Sequence, residues 1–207
     1  MLNESTLKLV QTGYDLRADA VFETRCFQMP LFGRSKNQDY QKAAKMLKDG
    51  KVSDAITELR GVIEKNPDHV NSHVTLAVAL MEIQEQPTKD SSQTIEAFAH
   101  LETAAKLDPK NPTPYFNMGV MLRSLGQLED SLASFERVLE IEKRQPLALA
   151  NMAEINYELE RWEEAIRLAR LALIRDPGLE SSMGWVRVAM RKAGLLDHDG
   201  NVIQRSE

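Results

Sequence analysis

The run Trp162-Glu163-Glu164-Ala165-Ile166-Arg167-Leu168-Ala169-Arg170-Leu171-Ala172-Leu173-Ile174-Arg175-Asp176-Pro177 decides the fold. Its apolar residues return at helical spacing. Pro177 stops the helix, because proline has no N–H to give and crowds the preceding turn. The same punctuation recurs upstream at Asn66-Pro67-Asp68 and Asp108-Pro109-Lys110. Twelve residues before the three prolines stand Ala55, Ala97 and Ala165, and five before them Val62, Ala104 and Ala172. Pro109 and Pro177 lie two periods of 34 residues apart, with the period between them ending at Lys143 and Pro146 opening the next.

Working outward from this register gives four frames, 36–69, 70–111, 112–145 and 146–179, each with two helical stretches. Small residues at the eighth place (Ala43, Ala77, Gly119, Ala153) face small residues at the twentieth (Ala55, Ala97, Ser131, Ala165). Larger side chains there would force the paired helices apart. Gly50 and Gly126 sit between the paired helices, where the chain needs a left-handed residue. One pair cannot bury its apolar face alone, but stacked pairs can. The second frame runs to 42 residues, and its surplus falls in the polar stretch near 84–92, which predicts an enlarged turn.

Composition agrees. The 207 residues are 43% hydrophobic and 28% charged with both signs mixed, rich in Ala, Leu, Glu and Lys, which favour helix. A net charge of −5 and the absence of a basic stripe argue against nucleic-acid binding. The single cysteine, Cys26, permits no internal disulfide. No apolar run is long enough to span a membrane, and Met1-Leu2-Asn3-Glu4 lacks the pattern of a secretory signal. The expected location is the cytoplasm.

Tyr115-Phe116-Asn117-Met118-Gly119 with Leu122 resembles the first helix of a tetratricopeptide repeat, and Trp162 to Ile166 with Ala172 and Asp176-Pro177 resembles the second. The resemblance covers about residues 36–179. It implies an all-α fold, a right-handed superhelical solenoid of antiparallel helix pairs. It also implies a protein-binding scaffold or adaptor that takes a peptide or helix of a partner in its concave groove.

Carried onto this chain, the family's ligand-facing places give Asn71, Val74, Thr75, Val78, Met81 and Glu82 in the second frame. They give Thr113, Phe116, Asn117, Val120, Arg123 and Ser124 in the third, and Leu147, Ala150, Asn151, Glu154, Tyr157 and Glu158 in the fourth. Trp185 and Arg191 follow in a partial fifth frame.

Two patterns stand out in that set. Gln41, Thr75, Asn117 and Asn151 share the sixth place, and amides one repeat apart could hold an extended backbone, since each donates and accepts. Val74, Val78, Met81, Phe116 and Val120 would form an apolar strip and, if exposed, a partner site. The family's carboxylate clamp for chaperone tails does not fit. The places that need Lys or Arg hold Tyr40, Thr113 and Asn117 in one register and Val74, Leu147 and Asn151 in the next.

The ends differ from the repeats. Residues 1–35 carry Leu7, Val10, Tyr14, Ala18, Val21 and Phe22 as a rough stripe, and read as an N-terminal cap or a docking segment. If that segment enters a groove, its own or another copy's, the protein is a self-assembling scaffold and a homo-oligomer. Residues 180–194 read as a C-terminal capping helix, and 195–207 as a polar tail.

Chemistry is thin. His69 and His73 are spaced to share a helix face, but no third ligand is near in sequence. Asp197-His198-Asp199-Gly200-Asn201 lacks the distal glutamate of a calcium loop and reads as a turn. The expectation is therefore no enzyme, no metal and no cofactor.

Overall fold

The computed structural model describes residues 37–197 and 199–203. The expectations for residues 1–35 and for the last residues of the tail lie outside them. The described part falls into two compact units, 37–142 and 143–203.

The first unit holds α1 (Gln38–Lys48), α2 (Val52–Lys65), α3 (Val70–Glu82), α4 (Ser92–Leu107), α5 (Pro112–Ser124) and α6 (Leu128–Ile141). The second holds α7 (Pro146–Glu158), α8 (Trp162–Arg175), a 3-10 turn over Pro177–Ser182 and α9 (Val186–Lys192). Among the described residues there is no strand, only one antiparallel bridge, Leu196 to Val202. The fold is an all-α helical repeat array.

Capping side chains start the first helix of each pair. Asn37 accepts from the Tyr40 N–H, His69 from Ser72, Asn111 from Thr113 and Gln145 from Ala148. Pro112 and Pro146 sit in the first turn, where a missing N–H costs nothing. The turns between paired helices place Gly50 at φ +74 and Gly126 at φ +73. In the last pair Glu160 takes that conformation, at φ 59.

The small residues let the paired helices close. Ala43, Ala55, Ala77, Ala97, Ser131, Ala153 and Ala165 are all fully buried. Ser131 Oγ donates to the Gly119 carbonyl at 2.6 Å. A Cβ on Gly119 would stand 2.8 Å from the Phe135 ring, itself edge-on to Phe116 with centroids 5.2 Å apart. Ion pairs tie α1 to α2 (Lys42–Glu58, 2.6 Å; Asp39–Lys65, 2.9 Å) and α2 to α4 (Arg60–Glu96, 2.8 Å). All three are solvent-exposed, so each adds little.

The second helix pair is joined by residues 83–91 rather than by a left-handed turn. This loop is tied at its base. Gln84 donates to the Leu80 carbonyl at 2.8 Å, and Ser91 Oγ donates to Gln84 Oε1 at 2.5 Å. Ser91 also caps α4 by accepting from the Thr94 N–H at 3.2 Å.

The C-terminal end departs from the sequence expectation. The helix expected over 180–194 is interrupted: Pro177 starts a 3-10 turn, and α-helix resumes only at Val186. Residues 195–203, expected as a polar tail with a turn at Asp197 to Asn201, form that turn and pack it back on α9. After Gly194 (φ +67) the chain folds back, with the Leu195 N–H on the Met190 carbonyl (2.8 Å) and the Ile203 N–H on that of Leu195 (3.0 Å). Leu196 is buried, and that burial is why the segment is held. Asp197 and Asn201 close the turn, the Asn201 N–H donating to Asp197 Oδ1 at 2.7 Å. Those hydrogen bonds hold the Asp197 carboxyl below its ordinary range.

Candidate functional site

The residues singled out from the sequence divide between the two units. In the first unit Gln41 lies on α1, Asn71, Val74, Thr75, Val78 and Met81 on α3, and Phe116, Asn117, Val120 and Arg123 on α5. In the second, Asn151, Glu154 and Tyr157 lie on α7, and Trp185 precedes α9.

Burial separates them further. Val74 and Val78 are 2% exposed and Phe116 is 3%, so the greater part of the expected apolar strip is not open to solvent. The reason is the position of α3. It packs against its own partner α4, against α2 before it, and against the neighbouring first helices α1 and α5. Every residue from Ser72 to Leu80 is buried as a result. Only Met81 and Val120 of the strip remain half-exposed. Asn71, Arg123, Asn151, Glu154, Tyr157 and Trp185 are also half-exposed, and Gln41 is exposed.

The residues at the sixth place behave differently from one another. Thr75 is fully buried and its Oγ1 lies 3.3 Å from the Tyr40 hydroxyl. Burial pushes the Tyr40 phenol above its ordinary pKa. Asn117 and Asn151 share one conformation. Each Nδ2 donates to the carbonyl four residues back, Thr113 and Leu147 respectively, both at 2.9 Å. Asn117 is buried and Asn151 half-buried. Each keeps a second N–H and a carbonyl oxygen beyond that bond.

In the second unit the Tyr157 ring stands between Trp162 (5.3 Å between centroids) and Trp185 (4.9 Å). The Trp185 Nε1 is buried without a hydrogen-bond partner. Trp162 was legible only as a repeat marker, since its approach to Tyr157 depends on the turn at Glu160.

The structure also joins residues that the sequence keeps apart. His73 meets His100, with Nδ1 to Nδ1 at 2.9 Å, and its Nε2 is 2.8 Å from the Pro67 carbonyl. His69 turns instead to Ser72. Beside His100, on the second helices, lies an open depression of about 370 Å³ lined by Thr57, Arg60, Gly61, Ile63, Glu64, Leu76 and His100. Its floor is open because a side chain is missing at Gly61, where an added Cβ would touch nothing. Among the described residues no group of three His, Cys, Asp or Glu could hold a metal ion. Among the same residues no helix is long and apolar enough to cross a membrane.

Two family profiles, both described as tetratricopeptide repeat, match residues 100–133 and 117–180. Over residues 100–180 the chain is built of tetratricopeptide repeats. Repeats of this family serve as protein–protein interaction scaffolds. Solved structures show the same fold. One titled as the crystal structure of MamA protein superposes with a TM-score of 0.62 at 16% identity, covering 75% of this chain and 81% of its own. A thermophilic tetratricopeptide-repeat protein of Thermus thermophilus, TTC0263, gives 0.59 at 22%, covering 75% and 78%. A MamA double mutant gives 0.64 at 15%, covering 80% and 89%. At these identities the likeness speaks to the fold alone. No curated protein matches the sequence.

Proposed function

We propose that this tetratricopeptide-repeat protein binds a segment of a partner protein on the faces of its first helices. The observation that carries this reading is the shared conformation of Asn117 and Asn151. Both stand at the same place of their repeats, and both are fixed by one amide hydrogen to their own helix. Asn151, half-buried and locked in this way, presents its remaining N–H and oxygen at low entropic cost, and those groups match the backbone of an extended peptide, while Asn117 is buried and fixes the corresponding face of the first unit. The half-exposed residues around them supply apolar and charged contact: Met81, Val120 and Arg123 in the first unit, Glu154, Tyr157 and Trp185 in the second. Val74, Thr75, Val78 and Phe116, being buried, act in this reading as the support that sets the angle of the face.

A photo-crosslinking amino acid placed at Val120 or Tyr157 tests the reading directly. Expected are crosslinks to one polypeptide that are absent when the same probe replaces Thr103 or Ser134 on the second helices. Equal labelling from both sets would remove the assignment. Crosslinks joining two copies of this chain would turn the reading toward self-assembly.

A further inference from the structure

Three of the chain's four histidines lie near the turn that joins the first helix pair to the second, and two of them, His73 and His100, are in contact. Each sits in a geometry with room for few protons. The Pro67 carbonyl can only accept, so His73 Nε2, 2.8 Å away, carries a hydrogen. Neutral His73 then offers a lone pair at Nδ1, and the hydrogen between the two Nδ1 atoms, 2.9 Å apart, belongs to His100. The Nε2 of neutral His100 is left bare, 3.8 Å from Glu96 Oε1.

A first added proton has a place on that Nε2, beside the carboxylate, and the shared hydrogen survives. A second has none. It would set two hydrogens face to face and bring two cations into contact. His69 meets a limit of its own. Its Nδ1 accepts from the Ser72 N–H at 3.3 Å and lies 2.6 Å from Ser72 Oγ, and this is the N-cap of α3. A proton there ends the cap, because Nδ1 can no longer accept from the Ser72 N–H, although it can then donate to Ser72 Oγ.

We propose that His69, His73 and His100 form a proton-sensitive latch, closed when neutral, that frees the Pro67 turn and the first turn of α3 on acidification. The surrounding charges do not relieve it. Glu96 on α4 is already held by both Arg60 contacts from α2, at 2.8 and 2.9 Å. Glu64 of α2 lines the same depression as His100, Asp68 stands in the turn itself, and Tyr40 of α1 meets His69 with its ring at 5.0 Å. Burial, reinforced by His73, holds both His69 and His100 below the ordinary histidine value. The unfolded chain therefore binds more protons than the folded one as pH drops. The latch contributes fully above about pH 6.5, the unperturbed value, and is lost as pH falls from there through the lower folded values.

The test is nitrogen NMR of the imidazoles in the full chain, with amide exchange, between pH 8 and 5. At pH 8, His73 and His69 are expected as Nε2–H tautomers and His100 as the Nδ1–H tautomer. On acidification, amide exchange at residues 68–73 should rise at least severalfold relative to α5. In His73→Gln and His100→Gln that relative rise should fall by more than half. His69 and His100 titrating at the ordinary histidine value, or an exchange ratio that does not move with pH, would overturn the latch. So would variants that keep the full pH response.

Discussion

Glu160 stands at φ 59, in the place where the other short turns use Gly50 and Gly126. A side chain in the left-handed region costs roughly 1–2 kcal/mol, because Cβ approaches the following carbonyl oxygen. Glu160→Gly is therefore expected to raise stability by about 1 kcal/mol, after allowing for the freedom glycine adds to the unfolded chain. A urea titration reads this as a higher midpoint, and a lower one would contradict it. Gly119→Ala should do the opposite. Its Cβ would meet the fully buried Phe135 ring at 2.8 Å, and overpacking of that kind costs about 1–3 kcal/mol. The cost should shrink when Phe135 is replaced by Leu in the same chain, a double-mutant comparison that isolates the contact.

At the scale of the element, α4 depends on Ser91. Its hydroxyl caps the helix and also closes the base of the 83–91 loop through Gln84. Ser91→Ala should cost about 1 kcal/mol in chemical denaturation, the usual loss for a cap. Thr replacement should restore most of it. The elements also show what the sequence could and could not disclose. Alanines at a fixed offset from each proline locate the helix pairs, because small residues where paired helices meet and a proline after the second helix are each forced by sterics. The burial of α3 was not legible: Val74 and Val78 read equally as an open strip, and Ser72, His73 and Thr75, buried with them, are polar. The meeting of His73 with His100 was not legible. The two lie 27 residues apart on different helices, and the 83–91 loop between them breaks the repeat register that would align them. The split of the C-terminal helix at Ser182 has no signal beyond Pro177 and Gly184. The candidate binding face was legible as positions but not as exposure, because exposure depends on how closely neighbouring first helices approach.

At the scale of the molecule, an array of pairs must cover the apolar faces at its ends. In the unit spanning 143–203 this falls to α9 and the short turn behind it, where Leu196 is buried and Gly200 lies so close to Arg187 that a Cβ would sit 2.6 Å from its Nη2. Ending the chain after Gly194 should lower the thermal midpoint of the full chain, followed by circular dichroism. Leu196→Ala should cost about 2–5 kcal/mol, as for other buried leucines. Midpoints that stay unchanged in both would show that the turn covers nothing of consequence.

The loop over 83–91 has a further consequence for engineering. Its two ends are tied to each other, Gln84 to Ser91, while Glu85, Gln86, Thr88, Lys89 and Asp90 between them face solvent. A chain entering and leaving at neighbouring points is what a guest domain needs if it is to be spliced in without prying its host apart. A circularly permuted fluorophore inserted between Thr88 and Lys89 would therefore ride on the second repeat as a reporter, its brightness coupled to any movement of α3 against α4.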